Sequence, residues 1–358
     1  DGKIVLLSET FGGTVVNRFN VDGSFDLTFG ENGRAYFSFN GKIYYGAQKI
    51  ALQQDGKIVF TSFYHSGSKI DVGIIRCQED GTPGSSFGIN GLDTVEMDNL
   101  NISHGLVIQP DGKIVVSGDV RKSQYDEKRT FLFRLMPNGS LDPEFGDEGI
   151  VITHNENATH NEGLVIRPDG KLVKGNTFNV YDDHSIFQLE SFNSDGSVDE
   201  SFGENGVAKY IFGEGQGGIW NTEMSCMALK EDGKIVCAGT SGKNEEINMA
   251  LCCFNEDGTV DLSFGDKGGV ILNLEGPYDS GINSIAIQED GKIVFCGYGG
   301  AIVLGRYSSN GELDPEFGND GITLSQTGQG GGEVKNVNML KDGKILLTGS
   351  AGFTTSNI

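Results

Sequence analysis

Four acidic residues stand at comparable places in this 358-residue chain and could perform acid–base chemistry. Each lies shortly before an Asp-Gly-Lys motif, where a strand is expected to begin: Glu162, Glu223, Asp279 and Glu333. Two carboxylates flanking a glycosidic bond can hydrolyse it, one as general acid and the other as base or nucleophile. An acidic chain also carries many carboxylates that are merely solvated. The sequence therefore favours a surface role for these four and keeps hydrolysis as the alternative.

All five histidines fall in the segments that vary most between repeats: His65, His104, His154, His160 and His184. Two of them, His154 and His160, with His104 one repeat away, offer nitrogen ligands for a transition metal. Their six-residue separation is not diagnostic of a metal site, and the sequence has no Cys-x-x-Cys spacing that would favour zinc. We therefore predict unliganded histidines, no metal site and no cofactor.

A twelve-residue cassette, Asp-Gly-x-x-Asp-x-x-Phe-Gly-x-x-Gly, recurs six times with constant spacing. Its first copy alternates oxygen-bearing side chains, as calcium loops do: Asn20, Asp22, Ser24 and Asp26. The terminal bidentate Glu of such loops is missing. A simpler interpretation is an Asx-type turn, in which the second aspartate accepts hydrogen bonds from nearby amides and the glycines take positive φ. We expect the cassette phenylalanines, Phe29 through Phe317, to anchor these turns in the core.

An arginine lies four residues before the cassette in four repeats: Arg18, Arg76, Arg134 and Arg306. The fourth and fifth repeats have Ser191 and Cys253 in its place. We expect each arginine to pair with a turn carboxylate, with anion binding as the weaker alternative. In the second repeat Gly84 replaces the second aspartate of the cassette.

These residues must be positioned by β-strands, and a second motif shows where the strands lie. Asp-Gly-Lys followed by an apolar run occurs seven times, at spacings of 54, 56, 58, 63, 58 and 52 residues. It predicts a hairpin of strands A and B, with Asp-Gly supplying the positive φ values of a tight primed turn. A strand C, the cassette and a strand D complete each repeat. Such a period suits four-stranded propeller blades.

Composition bounds the class of protein. The chain has 55 glycines and 37% hydrophobic residues, which fits an all-β fold rich in turns and excludes helical solenoids. Its formal charge of −23 argues against nucleic acid and against direct membrane insertion, and no apolar stretch could span a bilayer. The six cysteines occupy strand positions where other repeats have apolar or small residues, so we predict buried free thiols.

Residues 108–118, Ile-Gln-Pro-Asp-Gly-Lys-Ile-Val-Val-Ser-Gly, and 138–146, Asn-Gly-Ser-Leu-Asp-Pro-Glu-Phe-Gly, resemble the bacterial delta-60 repeat. The resemblance covers nearly the whole chain. It implies a β-propeller in a secreted or surface-exposed bacterial protein, implies no catalytic activity, and brings no functional residues with it.

We therefore expect one all-β domain over residues 1–358, a propeller of four-stranded antiparallel blades with incomplete or composite terminal blades. Seven blades are favoured, and six or eight remain possible. Asp1 lies inside an A–B turn and Ile358 stands where a strand C should begin, so we expect a fragment of a longer protein with further domains.

The B–C and D–A loops vary between repeats, and rigid scaffolds usually carry recognition on such loops. Aromatic residues and the histidines above collect there and form the predicted binding set: Trp220, Tyr44, Tyr45, Tyr64, Tyr181 and Tyr278. The leading hypothesis is an exported, non-enzymatic recognition or adhesion module that meets a protein or glycan on this face. The alternatives are a carbohydrate-active hydrolase or lyase using the carboxylates at the channel mouth, and a structural spacer.

Overall fold

The computed structural model describes residues 2–10, 13–37, 44–46, 48–66, 69–97, 100–121, 129–153, 158–181, 184–213, 220–243, 246–274, 278–325 and 332–351. These residues form 26 strands. Within these ranges no helix is long and apolar enough to cross a membrane. The chain divides into two compact units, Asp1–Ile166 with Asn193–Ser197, and Arg167–Phe192 with Val198–Ile358.

The first unit holds one three-stranded sheet and two further antiparallel groups, one of five strands and one of four. The three-stranded sheet comprises β1 (Ile4–Thr10), β2 (Gly13–Phe19) and β3 (Arg34–Phe37). The next group comprises β4 (Tyr44–Tyr45) and β5 (Ile50–Leu52), both paired with β6 (Ile58–Ser66), then β7 (Lys69–Cys77) and β8 (Leu92–Val95). The third comprises β9 (Leu100–Ile108), β10 (Ile114–Arg121), β11 (Arg129–Leu135) and β12 (Ile150–Thr153). Strand β13 (Ala158–Ile166) ends the main segment of this unit.

The second unit repeats the same pattern. It begins with β14 (Leu172–Tyr181), β15 (His184–Phe192) and β16 (Val207–Tyr210). One four-stranded group follows in β17 (Trp220–Leu229), β18 (Ile235–Lys243), β19 (Asn248–Phe254) and β20 (Gly269–Leu272). Another comprises β21 (Gly281–Ile287), β22 (Ile293–Tyr298), β23 (Ile302–Tyr307) and β24 (Ile322–Ser325). A hairpin of β25 (Gly332–Met339) and β26 (Ile345–Ala351) ends the described chain.

The predicted all-β propeller of four-stranded antiparallel blades is confirmed. Strand C occurs six times among the described residues, in β2, β7, β11, β15, β19 and β23. The structure therefore has six blades, a number that the prediction allowed, although it favoured seven. The seventh Asp-Gly-Lys motif makes only the β25–β26 hairpin within the described residues.

The hydrophobic core lies between consecutive sheets. In the first unit Val59 and Val72 pack in one cluster with Val116 and Phe133 of the following blade. In the second unit Val236 and its neighbours pack with residues of the β21–β24 blade in the same way. Because each side chain of this kind contributes about 1.5–3 kcal/mol when fully buried, the repeats depend on stacking rather than on isolated hairpins.

The A–B turn differs from the predicted primed turn. In the turn before β22 the amide of Gln288 donates to the carbonyl of Lys292 over 2.9 Å, and Gly291 alone has a positive φ, of 79°. Asp290 instead uses its side chain, whose Oδ1 accepts from the Lys292 amide at 3.1 Å. The aspartate is therefore a side-chain cap of the turn and needs no left-handed backbone.

The cassette is a structural turn, as predicted. Asp142 Oδ1 accepts from the Glu144 amide at 3.1 Å. Its Oδ2 receives Arg134 Nε at 2.7 Å and Lys113 Nζ at 2.8 Å. The same arginine–aspartate distance, 2.7 Å, recurs in the first and sixth repeats. The predicted pairing with a turn carboxylate is confirmed for Arg18, Arg134 and Arg306, and the Asp-Gly-Lys lysine joins it. Arg76 has no cassette carboxylate to pair with, because Gly84 takes its place.

In the first three repeats the arginine also bonds to a carbonyl beside the next cassette. Arg76 Nη1 donates to the carbonyl oxygen of Pro137 at 2.5 Å, and its guanidinium lies 4.7 Å from the ring centroid of Phe87. In the fifth repeat, where Cys253 replaces the arginine, Lys230 of the preceding A–B turn donates to the equivalent carbonyl, that of Ser309, at 3.3 Å. This exchange of one cation for another was not predicted from the sequence.

The cysteines are free, as predicted, and five of the six are buried, with Cys226 half-buried. Burial raises the pKa of the Cys77, Cys253 and Cys296 thiols to about 12. These thiols therefore stay protonated and serve as small core side chains.

Candidate active site

Three of the four acidic residues noted in the sequence belong to neighbouring strands of the second unit. Glu223 is the fourth residue of β17, Asp279 lies two residues before β21, and Glu333 is the second residue of β25. Strand β21 contacts both β17 and β25. The fourth, Glu162, is part of β13 in the first unit, and its side chain lies outside the described residues.

A β-bulge follows each of these positions and turns one extra polar side chain out of the A–B ladder. The register of β17 with β18 shifts between Met224 and Cys226, which leaves Ser225 unpaired. The same shift leaves Asn283 unpaired in β21 and Lys335 in β25. Bulges commonly re-aim side chains next to active sites.

A glycine in strand B makes the bulge possible. A Cβ atom at Gly239 would stand 2.0 Å from the carbonyl oxygen of Glu223. Only a residue without a side chain admits this approach. A glycine seven residues after the Asp-Gly-Lys aspartate, as in Asp232 and Gly239, is therefore the sequence signal for the bulge. The bulge was not predicted from the sequence.

Tyr298 ends β22 and stands beside these carboxylates. It pairs in register with Gly281, and a Cβ atom at Gly281 would lie 2.7 Å from the Tyr298 hydroxyl oxygen. The absent side chain at position 281 thus makes room for the ring. Tyr298 keeps 37% of its surface exposed.

The electrostatics of the cluster keep the phenol protonated. Partial burial raises the pKa of Tyr298 above its ordinary value, and the negative charges of Glu223, Asp279 and Glu333 raise it further. At neutral pH the hydroxyl is therefore a hydrogen-bond donor next to three carboxylates.

Two of the bulge residues, Asn283 and Lys335, contact Glu333 or the backbone next to it. Lys335 Nζ donates to Glu333 Oε1 at 2.6 Å. Asn283 Nδ2 donates to the carbonyl of Val334 at 2.7 Å and lies 3.5 Å from Glu333 Oε1. Glu333 is thus oriented by a cation and an amide, whereas Glu223 and Asp279 are exposed to solvent.

In the first unit His104 occupies the same bulge position, in β9. Its Nε2 lies 3.0 Å from Asp119 Oδ2, which is a buried carboxylate. No group of three or more His, Cys, Asp or Glu side chains suited to a metal ion occurs in the part of the chain that the structure describes. His154 lies outside that part, and so does the side chain of His160.

Several histidines predicted in loops belong to strands. His65 is part of β6, His104 of β9, His160 of β13 and His184 of β15. The hairpins are longer than predicted because cross-strand pairing continues past the apolar run, as in the pair His65 and Ile70. The side chains of His65 and His184 are not among those described.

Trp220 also departs from its expected exposure. It is the first residue of β17 and retains only 6% of its surface. A Cβ atom at Gly213 would lie 2.1 Å from the indole ring, so the ring fills the space that this glycine leaves. The predicted exposed tryptophan is therefore a packed side chain.

The remaining aromatic residues of the predicted binding set do not form a described cluster. Tyr278 is 67% exposed and lies over Gly300. Backbone positions only are described for four tyrosines, in β4, β6 and β14: Tyr44, Tyr45, Tyr64 and Tyr181. Their assignment to a binding surface stays a prediction.

The model of one protein family, described as a domain of unknown function (DUF5122) beta-propeller, matches residues 109–145, 230–264 and 288–317. Each matched segment starts two residues before an Asp-Gly-Lys aspartate and ends at a cassette phenylalanine: Phe145, Phe264 and Phe317. The chain is a β-propeller. A comparison with curated proteins finds no match.

Solved structures similar to this propeller include an α-L-arabinofuranosidase from Fusarium graminearum, at 11% identity and a TM-score of 0.49, covering 86% of this chain and 88% of that one. An aldose sugar dehydrogenase from Streptomyces coelicolor matches at 15% identity and a TM-score of 0.44, covering 89% of each chain. An endo-arabinase from Bacteroides thetaiotaomicron matches at 9% identity and a TM-score of 0.40, covering 80% of this chain and 94% of that one.

These matches correct two predictions, that the chain is a non-enzymatic recognition or adhesion module and that it is no enzyme. Both rested on the premise that a propeller of this kind implies no catalytic activity. The similar structures above are described as enzymes. The likeness is one of fold, so the chemistry must be argued from this chain's own residues.

Proposed function

We propose that this propeller is a glycoside hydrolase whose catalytic acid and base are drawn from Glu223, Asp279 and Glu333. One observation carries the proposal: three successive repeats each bring a carboxylate to the electrostatic surroundings of the Tyr298 phenol, Glu223 and Glu333 from A strands and Asp279 from just before one. Glycoside hydrolysis requires two carboxyl groups on either side of the scissile bond. Glu223 and Glu333 are held on strands, and sites built on strands are more precise than sites on loops.

Hydrolysis is favoured over elimination by the state of the tyrosine. A lyase that used Tyr298 to remove a proton from a sugar carbon would need its pKa lowered towards neutrality. Burial and the neighbouring carboxylates raise it instead. The protonated hydroxyl can donate a hydrogen bond to the sugar, while a carboxyl group transfers the proton.

The polar residues of the bulges suit a carbohydrate substrate. Ser225, Asn283 and Lys335 can exchange hydrogen bonds with sugar hydroxyl groups. The chain has a formal charge of −23, and three carboxylates surround the site, so a polyanionic glycan would be repelled. We therefore propose a neutral glycan as the substrate.

We also propose that the chain belongs to the delta-60 repeat family and acts outside the cell. Three matched segments that begin at the A–B turn and end at the cassette phenylalanine support membership of the delta-60 repeat family. Action outside the cell, as that resemblance implies for bacterial proteins, suits an enzyme whose substrate is a glycan.

The test is release of reducing sugar from a panel of neutral polysaccharides and aryl glycosides. Glu223→Gln, Asp279→Asn and Glu333→Gln are compared with Glu204→Gln, a change of an exposed carboxylate in a cassette turn. We expect wild type and Glu204→Gln to be equally active, and at least two of the other variants to lose about 10²–10⁴-fold in kcat. Activity that survives all three substitutions, or no activity on any glycan, contradicts the proposal.

A further inference from the structure

The second repeat lacks the carboxylate around which every other cassette is built. In the first, third, fourth, fifth and sixth repeats an aspartate fills this place: Asp26, Asp142, Asp199, Asp261 and Asp314. All five are buried. The second repeat has Gly84 instead, and the donors that would surround the carboxylate are still present.

The backbone of this cassette keeps the geometry of its complete neighbour. The Gly84 amide donates to the Arg76 carbonyl at 2.9 Å, as the Asp142 amide does to the Arg134 carbonyl. The Phe87 amide donates to the Gly84 carbonyl at 2.9 Å, and the equivalent distance in the third repeat is 3.1 Å. The turn is therefore formed without its aspartate.

Arg76 also keeps its orientation. Its Nη2 donates to Ser86 Oγ at 3.0 Å, and its guanidinium lies 4.7 Å from the Phe87 ring, the same distance as between Arg134 and Phe145. A Cβ atom at Gly84 would lie 3.4 Å from Arg76 Nε. The guanidinium thus faces the position from which an aspartate would accept its hydrogen bond.

One donor of this guanidinium is left over. Arg76 is 4% exposed, and its Nε has no hydrogen-bond partner among the described residues. In the third repeat the same nitrogen donates to Asp142 Oδ2 at 2.7 Å. Lys57, the counterpart of Lys113, pairs with Asp55 of its own turn instead of with a cassette carboxylate. A buried cationic donor without an acceptor is costly, since it loses its hydration without replacement.

We propose that the second cassette is a binding site for a small carboxylate anion of formate size, which supplies the missing carboxylate between Arg76, Lys57 and Ser86. Formate has the same carboxylate group as an aspartate side chain but lacks the methylene that joins it to the backbone. Its oxygens would accept from Arg76 Nε, Lys57 Nζ and the Ser86 amide, as those of Asp142 accept from Arg134, Lys113 and Glu144. Lys57 and Ser86 are partly exposed, so the anion has a route from solvent.

The experiment measures urea unfolding of wild type and Gly84→Asp in sodium formate and in sodium chloride at equal ionic strength. A bound anion raises the folding equilibrium constant by the factor 1 + [L]/Kd, which is about threefold when formate is present at twice its Kd. We expect formate to raise the urea midpoint of wild type more than chloride does, and Gly84→Asp to show no difference between the salts. Equal responses of the two proteins, or equal effects of formate and chloride on wild type, overturn the proposal.

A second variant, in the third repeat, tests the same idea without changing the second repeat. Asp142→Gly creates the same vacancy between Arg134 and Lys113, and it should acquire a second formate-dependent increase in stability. If Asp142→Gly responds to formate no more than wild type does, the cassette does not hold a free carboxylate, and the proposal fails. None of these residues belongs to the candidate active site.

Discussion

In the first, third and sixth repeats one buried cassette carboxylate pairs with two cations, an arginine of strand C and a lysine of the A–B turn. Asp142 accepts from Arg134 of β11, from Lys113 of the A–B turn and from the amide of Glu144. Burial would raise its pKa, but Lys113, the Glu144 amide and Arg134 outweigh burial and lower it. The residues that recur in the sequence are therefore explained by charge neutralisation inside a turn, and their regularity does not indicate a ligand.

Asp142→Asn tests this at the residue scale. The change leaves Arg134 and Lys113 beside a neutral amide, so the buried guanidinium keeps its desolvation cost without its counter-charge. We expect the free energy of unfolding to fall by about 3 kcal/mol, as is typical when one partner of a buried ion pair is removed. Urea denaturation checks it, with Asp147→Asn as the matched control because Asp147 lies exposed in the same cassette. Equal effects of the two changes would show that the network contributes nothing.

At the scale of elements, the turns could be predicted from the sequence, whereas the cross-strand register that creates the bulges could not. The Asp-Gly-Lys turns and the cassettes follow from residues a few positions apart, so the sequence predicts them. The bulge at Ser225 depends on the approach of the Glu223 carbonyl to Gly239 in the neighbouring strand. That approach is a cross-strand event, and for this reason the positions of Asn283 and Lys335 beside Tyr298 were not foreseen.

The cassette end holds a second element-scale feature, a left-handed residue before its last glycine. Asn205 has a φ of 52° there, and Lys267 has a φ of 53° at the equivalent position of the next repeat. Asparagine tolerates the left-handed region, whereas for lysine the contact between Cβ and the backbone costs about 1 kcal/mol of conformational energy. Lys267→Asn should therefore raise the free energy of unfolding by about 1 kcal/mol, and Asn205→Lys should lower it by a similar amount. Chemical denaturation of both variants checks the pair, and changes of the same sign would contradict the strain argument.

At the scale of the molecule, the four-stranded blade could be predicted from the sequence because the same two motifs recur in every repeat. It does not give the packing of single side chains: Trp220 was expected at the surface and is buried against Gly213. The candidate active site likewise draws one carboxylate from each of three successive repeats, and their negative charges together raise the pKa of Tyr298. The meeting of carboxylates from different repeats cannot be predicted from the sequence of any one repeat.

The whole molecule should lose stability in acid, because cassette carboxylates recur along the chain. Burial would raise the pKa of Asp199, but hydrogen bonds from Ser201, Lys171 and Ser191 outweigh it and lower it to about 2. The pKa values of Asp26, Asp142, Asp261 and Asp314 are also lowered. An unfolded aspartate titrates near 3.9, so the unfolded chain binds more protons as the pH falls below about 5.

The stabilisation from these groups is therefore complete above about pH 5 and is lost as the pH falls towards 2. We expect the urea midpoint to be nearly constant between pH 7 and pH 5 and to drop steeply between pH 4 and pH 2. Asp199→Asn should be less stable at neutral pH and should show a shallower drop, since one of the titrating groups is gone. A midpoint that stays constant down to pH 2, or an equal slope in Asp199→Asn, would show that the cassette carboxylates do not control acid stability.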